Sequence, residues 1–196
     1  MVERITEKKL KNKRFKHSEE SIVTALLVAK DKLSLSKIIR IAQISRSTLY
    51  RHHGNISEIV PNYEKYILRK WKARVNQLSK IKSLSLKFLY ECLLSFLASN
   101  HQIIKLLLKY NDHIFIEQFI VTLKPKIFAA GKIIDGEVFT LYAKEVSGLI
   151  EAWCNTDFDT DAIPTVVAKI MHLTNTAHTR LSPLAQFDPP ASTAQK

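Results

Sequence analysis

Glycine is scarce, with four in 196 residues. Sandwiches and barrels usually need many more turn glycines, so a β architecture is disfavoured, and the long segments with helical period point to an all-α fold. Cysteine is scarcer still: Cys92 and Cys154 each sit in an apolar helical pattern and offer no disulfide framework. The N-terminal residues lack the apolar core of a secretion signal, and a reducing cytoplasm is the expected compartment. Long apolar runs are also missing. The most apolar stretch, Leu84 to Leu97, is broken by Lys87 and Glu91 and is too short to span a bilayer, so no membrane partner is expected. No glycine-rich phosphate loop or nucleophile elbow occurs, and His17, His101, His113, His172 and His178 show no H-x-x-x-H or C-x-x-C spacing. The chain therefore reads as a non-enzyme without cofactor or metal. Asp157, Asp159 and Asp161 alternate as calcium ligands do. An EF-hand loop begun at Asp157 would need Gly at Ala162 and Glu at Ala168, so a helix-capping turn is the better reading.

What the chain has in excess is positive charge, and that charge is unevenly placed. The net charge is +12; residues 1 to 80 hold 19 Lys and Arg against 7 Asp and Glu, while the remainder is balanced at 11 against 11. A basic segment beside a neutral one suggests that the first half meets a polyanion and the second does something else.

Four segments follow. Residues 1–17 carry seven Lys and Arg with few apolar side chains and read as a basic arm, mobile or a frayed helix. Residues 18–80 read as three short helices and a longer one. Ser18 is a candidate N-cap for the first, whose inner face holds Ile22, Ala25, Leu26 and Ala29, with Glu19 and Glu20 in its first turn and Lys30 and Lys32 at its end. Ser34 or Ser36 caps the second, with Ile38, Ile39 and Ala42 inward. Ser45 caps the third, RSTLYRHH, which packs through Leu49 and ends at Gly54. The long helix runs from Ser57 to about Ile81, and must either begin near Ser57 or kink at Pro61. Residues 81–180 read as further helices, roughly 83–99, 101–111, 113–123, 124–130, 136–154 and 162–176. Residues 181–196, with Pro183, Pro189 and Pro190, are expected to be disordered.

The third helix has the chemistry of a major-groove reader. Hydroxyls and Tyr bond phosphates, Arg takes guanine in a bidentate contact, and His donates to phosphate or base edges. Many surface helices carry two Arg, so composition alone is a weak signal, and the residue order adds to it. Ser45-Arg46-Ser47-Thr48-Leu49-Tyr50-Arg51-His52, preceded by Leu33 to Ile38 and followed by a helix opening at Ser57-Glu58, resembles the DNA-binding domain of the TetR family of bacterial regulators over about residues 18 to 70. The resemblance implies a helix-turn-helix domain on double-stranded DNA. Leu33, Ile38, Ala42, Ile44 and Leu49 would be packing positions, and Ser36 and Lys37 would lie near the DNA backbone. Arg46, Ser47 and Thr48 would face the groove, Tyr50 and His52 would hold phosphate, and Arg51 would reach a base or a phosphate. Three positions depart from the family: Ile39 replaces a small residue, Gln43 replaces the turn glycine, and Ile56 replaces a phosphate-binding Lys. A non-glycine residue in the left-handed region costs roughly 1 kcal/mol, so a reshaped turn is one outcome at Gln43. Asn55 or the arm residues Lys11, Lys13, Arg14 and Lys16 would then supply the missing phosphate contact.

In that family the C-terminal half holds an effector pocket and a dimerising helix pair. Residues 136–176 look similar to such a pair, and the expected dimerisation residues are Leu141, Tyr142, Leu149, Trp153, Val167, Ile170 and Met171. Two apolar stripes exposed on a monomer would be covered in an isologous bundle, unless each faces its own core. A two-fold dimer implies a near-palindromic operator with half-sites about 34–36 Å apart. Phe88, Tyr90, Phe96, Tyr110, Phe115, Phe119 and Phe128 either line an effector pocket or form plain core. The resulting expectation is a homodimeric repressor released by a small-molecule effector. The alternative is a helical adaptor or co-regulator whose C-terminal half binds a protein.

Overall fold

The structure, a computed structural model, describes residues 13–29, 34–80, 84–110, 114–131, 133 and 135–185. The described residues contain helices and no strand: α1 (Lys13–Val28), α2 (Leu35–Ala42), α3 (Arg46–His53), α4 (Ile59–Leu78), α5 (Leu86–Ser99), α6 (His101–Tyr110), α7 (Ile114–Val121), α8 (Lys124–Ala129), α9 (Gly136–Cys154) and α10 (Ile163–Ala185). None of these helices is long and apolar enough to cross a membrane. They form two compact units, one of described residues up to Arg74 together with Ser99–Phe115, the other of Val75–Ala98 and those from Ile116 onward.

In the first unit α1 packs on α2 and α6, and α2 packs on α3. Ile22, Ala25 and Leu26 of α1, with Ala29 just beyond its end, are buried in this unit, as are Ile38, Leu49, Ile59, Ile67 and Trp71. Two expectations need correction here. Ser18 is not an N-cap, because the helix starts at Lys13 and takes in the end of the supposed arm. Phe15 supplies the reason: its ring stacks on His52 at 3.9 Å and 8°, which gives one more turn of helix something to pack against. The other end of α1 is held from α6. Lys109 Nζ donates to the carbonyls of Leu26 (3.0 Å), Leu27 (2.7 Å) and Ala29 (2.6 Å), and Tyr110 donates to Leu26 O at 3.0 Å. A helix leaves its last carbonyls without partners and favours a cation there, so one lysine answers both needs. This brings α6 into the first unit, beyond the boundary expected at residue 80. Residues 1–12, 30–33 and 186–196, which include Lys11, Lys30, Lys32 and Leu33, lie outside the described residues.

Pro61 causes no kink. A 3-10 turn, Ile56–Glu58, precedes α4, and Pro61 falls in the helix's first turn, where a missing N–H leaves nothing unsatisfied.

In the second unit α9 packs along α10. The Asp135 carboxylate caps α9 by accepting from the N–H groups of Glu137 (2.7 Å) and Val138 (2.9 Å). The acidic turn between the two helices is closed from within: the Trp153 indole donates to Asp159 O at 2.7 Å, and Asp159 Oδ1 accepts from the N–H of Asp161 at 3.0 Å. Helix α10 continues well past the expected end at 176, because Ala177 and Leu181 extend its buried stripe of Val167, Ile170 and Thr174.

That stripe also corrects the dimer expectation. Tyr142, Trp153, Val167 and Ile170 are 0–3% exposed within a single chain, so they face their own core and are not available to a partner. Only Leu141, Leu149 and Met171 of the seven remain half-exposed. The aromatic residues divide in the same way. Phe119 is sealed in the core and Tyr90 belongs to a buried hydroxyl chain, whereas Phe88 is 43% exposed.

Candidate nucleic-acid interface and a buried carboxylate–histidine cluster

Helices α2 and α3 are joined by three residues, Gln43, Ile44 and Ser45. Gln43 adopts the left-handed conformation itself (φ 53°, ψ 40°), and the N–H of Ile44 closes back on Ile39 O at 3.3 Å. A glutamine in this conformation carries a steric cost of roughly 1 kcal/mol. Ser34 caps α2, accepting from the Lys37 N–H at 3.3 Å. Ser45 caps α3, accepting from the Thr48 N–H at 3.0 Å, and its hydroxyl also lies 2.8 Å from those of Ser47 and Thr48.

Leu49 anchors α3 inward. Outward it presents Arg46, Ser47, Tyr50 and Arg51, all exposed, with Thr48 half-buried at the edge. Ser36, Ser45 and Asn55 are exposed and Lys37 is half-buried. Neither α2 nor α3 contains an acidic residue, and neither Arg46 nor Arg51 is engaged by a carboxylate among the described residues. The result is a positive helix face whose hydroxyls gather at the N-terminal end, where the helix dipole also favours an anion.

His52 does not belong to that face. It is 2% exposed, its Nδ1 is in a short hydrogen bond with Glu19 Oε1, and Phe15 covers its ring. Its expected role as a phosphate contact is therefore corrected, for a buried imidazole cannot reach DNA. His53 is also fully buried. Its Nε2 lies 3.5 Å from Glu19 Oε1, outside hydrogen-bond geometry, and neither ring nitrogen has a hydrogen-bond partner. The Tyr63 hydroxyl, buried and carried on α4, donates to Glu19 Oε2. Four polar side chains from α1, α3 and α4 thus meet in the core of the first unit.

Burial works against ionising Glu19, but the hydrogen bond from His52, the nearness of His53 and the Tyr63 hydroxyl outweigh it and hold the carboxyl at about 2. Tyr63 moves the other way, well above the usual phenol range, through burial and the adjacent carboxylate. The cluster was missed in the sequence, although a signal existed. Glu19 falls in register with Ile22, Leu26 and Ala29, on the apolar stripe of α1, and His52 and His53 lie three and four residues after Leu49.

Comparison with known proteins finds no matching family model, no significant match among curated proteins and none among solved structures.

Proposed function

We propose that the chain is a DNA-binding transcriptional regulator, TetR-like in its N-terminal half, with α3 as the helix that enters the major groove. The observation that carries this reading is the face of α3: Arg46, Ser47, Tyr50 and Arg51 exposed together, no acid on α2 or α3, and a tight turn that holds the pair. The charge asymmetry adds support, since the excess of Lys and Arg lies wholly in residues 1 to 80. The second unit would provide the two-fold contact, now limited to the half-exposed positions Leu141, Leu149 and Met171.

Selection of bound duplexes from a random pool tests the whole reading. An enriched inverted repeat with half-sites about 34–36 Å apart is the expected result. Arg46→Ala should weaken binding to that sequence and relax its specificity, by about 1–3 kcal/mol for a lost bidentate contact, while Lys37→Ala should weaken binding to all duplexes alike. A pool that shows no enrichment and no steep salt dependence would leave α3 without a nucleic-acid role.

A further inference from the structure

We propose that Glu19, His52 and His53 form a binding site for a divalent transition-metal ion, with zinc the best fit to the donor set. The site goes beyond the DNA reading and does not depend on it. One oxygen and two imidazole nitrogens, taken one from each residue, all lie within 4.8 Å of one another. Adjacent residues on a helix point about 100° apart, yet these two converge because His52 offers the near nitrogen, Nδ1, and His53 the far one, Nε2. Two ligands on one tetrahedral zinc, with bonds of about 2.0–2.1 Å, stand roughly 3.3 Å apart. The His53 Nε2 to Glu19 Oε1 separation of 3.5 Å is close to that spacing.

His53 carries the second observation. A fully buried imidazole with neither nitrogen hydrogen-bonded is rare in native structures, and coordination of Nε2 removes the anomaly. Supporting contacts of the kind metal sites use are also present. Tyr63 holds the other carboxylate oxygen, and Phe15 fixes the plane of the His52 ring. Glu19 and Tyr63 also line a cavity of about 380 Å³ that extends to Lys16, Tyr66, Lys70 and Asn100, so the carboxylate side of the cluster borders open space. Entry of the ion displaces the proton between His52 and Glu19 to solvent, and that pair opens to the ligand spacing. Two imidazoles and one carboxylate suit zinc better than calcium or magnesium, which prefer oxygen ligands throughout. Because the ligands come from α1 and α3, the ion would tie the recognition helix to the first helix of its unit.

The test uses tag-free full-length protein stripped by chelator and then titrated with zinc. One equivalent should bind at micromolar strength or better and raise the midpoint of thermal unfolding. His53→Gln and Glu19→Gln should each weaken binding at least a hundredfold, whereas His17→Gln and His172→Gln, both at exposed positions, should leave it unchanged. Cobalt added to the wild type should give the intense visible absorption of a tetrahedral ion, a readout that stands even if a variant fails to fold. Absence of binding, binding unaffected by His53→Gln, or a weak octahedral cobalt spectrum would each overturn the site. Duplex binding is measured separately, so failure here leaves the DNA reading intact, and the reverse also holds.

Discussion

Among the described residues each unit buries a polar network, and these two networks differ in chemistry. The second unit's is neutral. Thr174 Oγ1 donates to Ile170 O at 2.8 Å, so at 2.7 Å it can only accept from Tyr142, which in turn must accept from Tyr90. The hydrogens run in one direction from Tyr90 to a backbone carbonyl, and each has an acceptor. The first unit's network is charged and does not close. Glu19 is well supplied with donors, yet the two ring nitrogens of His53 are left over. A complete network rigidifies a core, while an unsatisfied buried group carries a desolvation cost. Trp71 lies in the first unit and Trp153 in the second, and the chain has no other tryptophan, so single-tryptophan variants can read each unit by itself.

The largest effect should come from Glu19→Ala. It leaves His52 and Tyr63 buried without their acceptor, and loss of one partner from a buried charged cluster costs about 3–5 kcal/mol. In denaturant titrations the Trp71 signal should shift strongly and the Trp153 signal little. Equal shifts of both signals in every variant would mean that the units unfold as one, against the confinement of the effect to the first unit.

Next comes pH, where the charged network adds an acid limb that the neutral one lacks. In metal-stripped protein the folded-state value of Glu19 is about 2, below its ordinary 4.5, so its contribution is complete above 4.5 and is lost as pH falls toward 2. A difference of that size amounts to roughly 3 kcal/mol. Tyr90 is raised well above 10 by burial and by Tyr142, and Tyr142 is itself raised by burial. Their contribution is complete below 10 and falls as pH rises beyond it. Stability measured across pH should therefore show an acid limb on Trp71 that Trp153 lacks, and an alkaline limb on both signals, because Tyr63 in the first unit is raised as well. An acid limb of equal depth on both would contradict the assignment of the charged network to one unit.

Thr174→Val should do less. It keeps the side chain's shape and leaves one neutral hydroxyl, that of Tyr142, with one bond fewer, at a cost of about 1–3 kcal/mol on the Trp153 signal.

Helices were the most legible part of the sequence. The limits of α9 are those expected, Gly136 to Cys154, because Asp135 is a strong cap and the apolar period is regular. The ends of α1 and α10 were not legible. Each depends on a contact distant in sequence or on a stripe that tolerates Thr174, and local periodicity records neither. The outer face of α3 could be read because Leu49 fixes its inner side. His52 was misplaced because the same histidine suits a phosphate contact or a buried carboxylate, and only Glu19, 33 residues earlier, decides between them. Apolar stripes on α9 and α10 were visible, but a stripe looks the same whether a partner or the chain's own core covers it.

The smallest effects lie in the turns, where the units differ once more. Gln43 in the first unit, and Asp157 and Phe158 in the second, have φ of 53°, 60° and 59°, in the region that favours glycine. Relief of steric strain at such a position gains roughly 1 kcal/mol, and the added freedom of an unfolded glycine returns part of it. Gln43→Gly and Asp157→Gly, both at exposed positions, should each stabilise their own unit by a few tenths of a kcal/mol up to about 1. Phe158→Gly should have the opposite sign, because the ring is 5% exposed and packs edge-on against Trp153 at 5.4 Å. Burial of an aromatic side chain is worth about 1.5–3 kcal/mol, more than the backbone strain it maintains. Midpoint shifts on the two tryptophan signals distinguish these outcomes, and a destabilising Gln43→Gly would mean that the glutamine side chain holds the α2–α3 turn in a way its exposed position does not suggest.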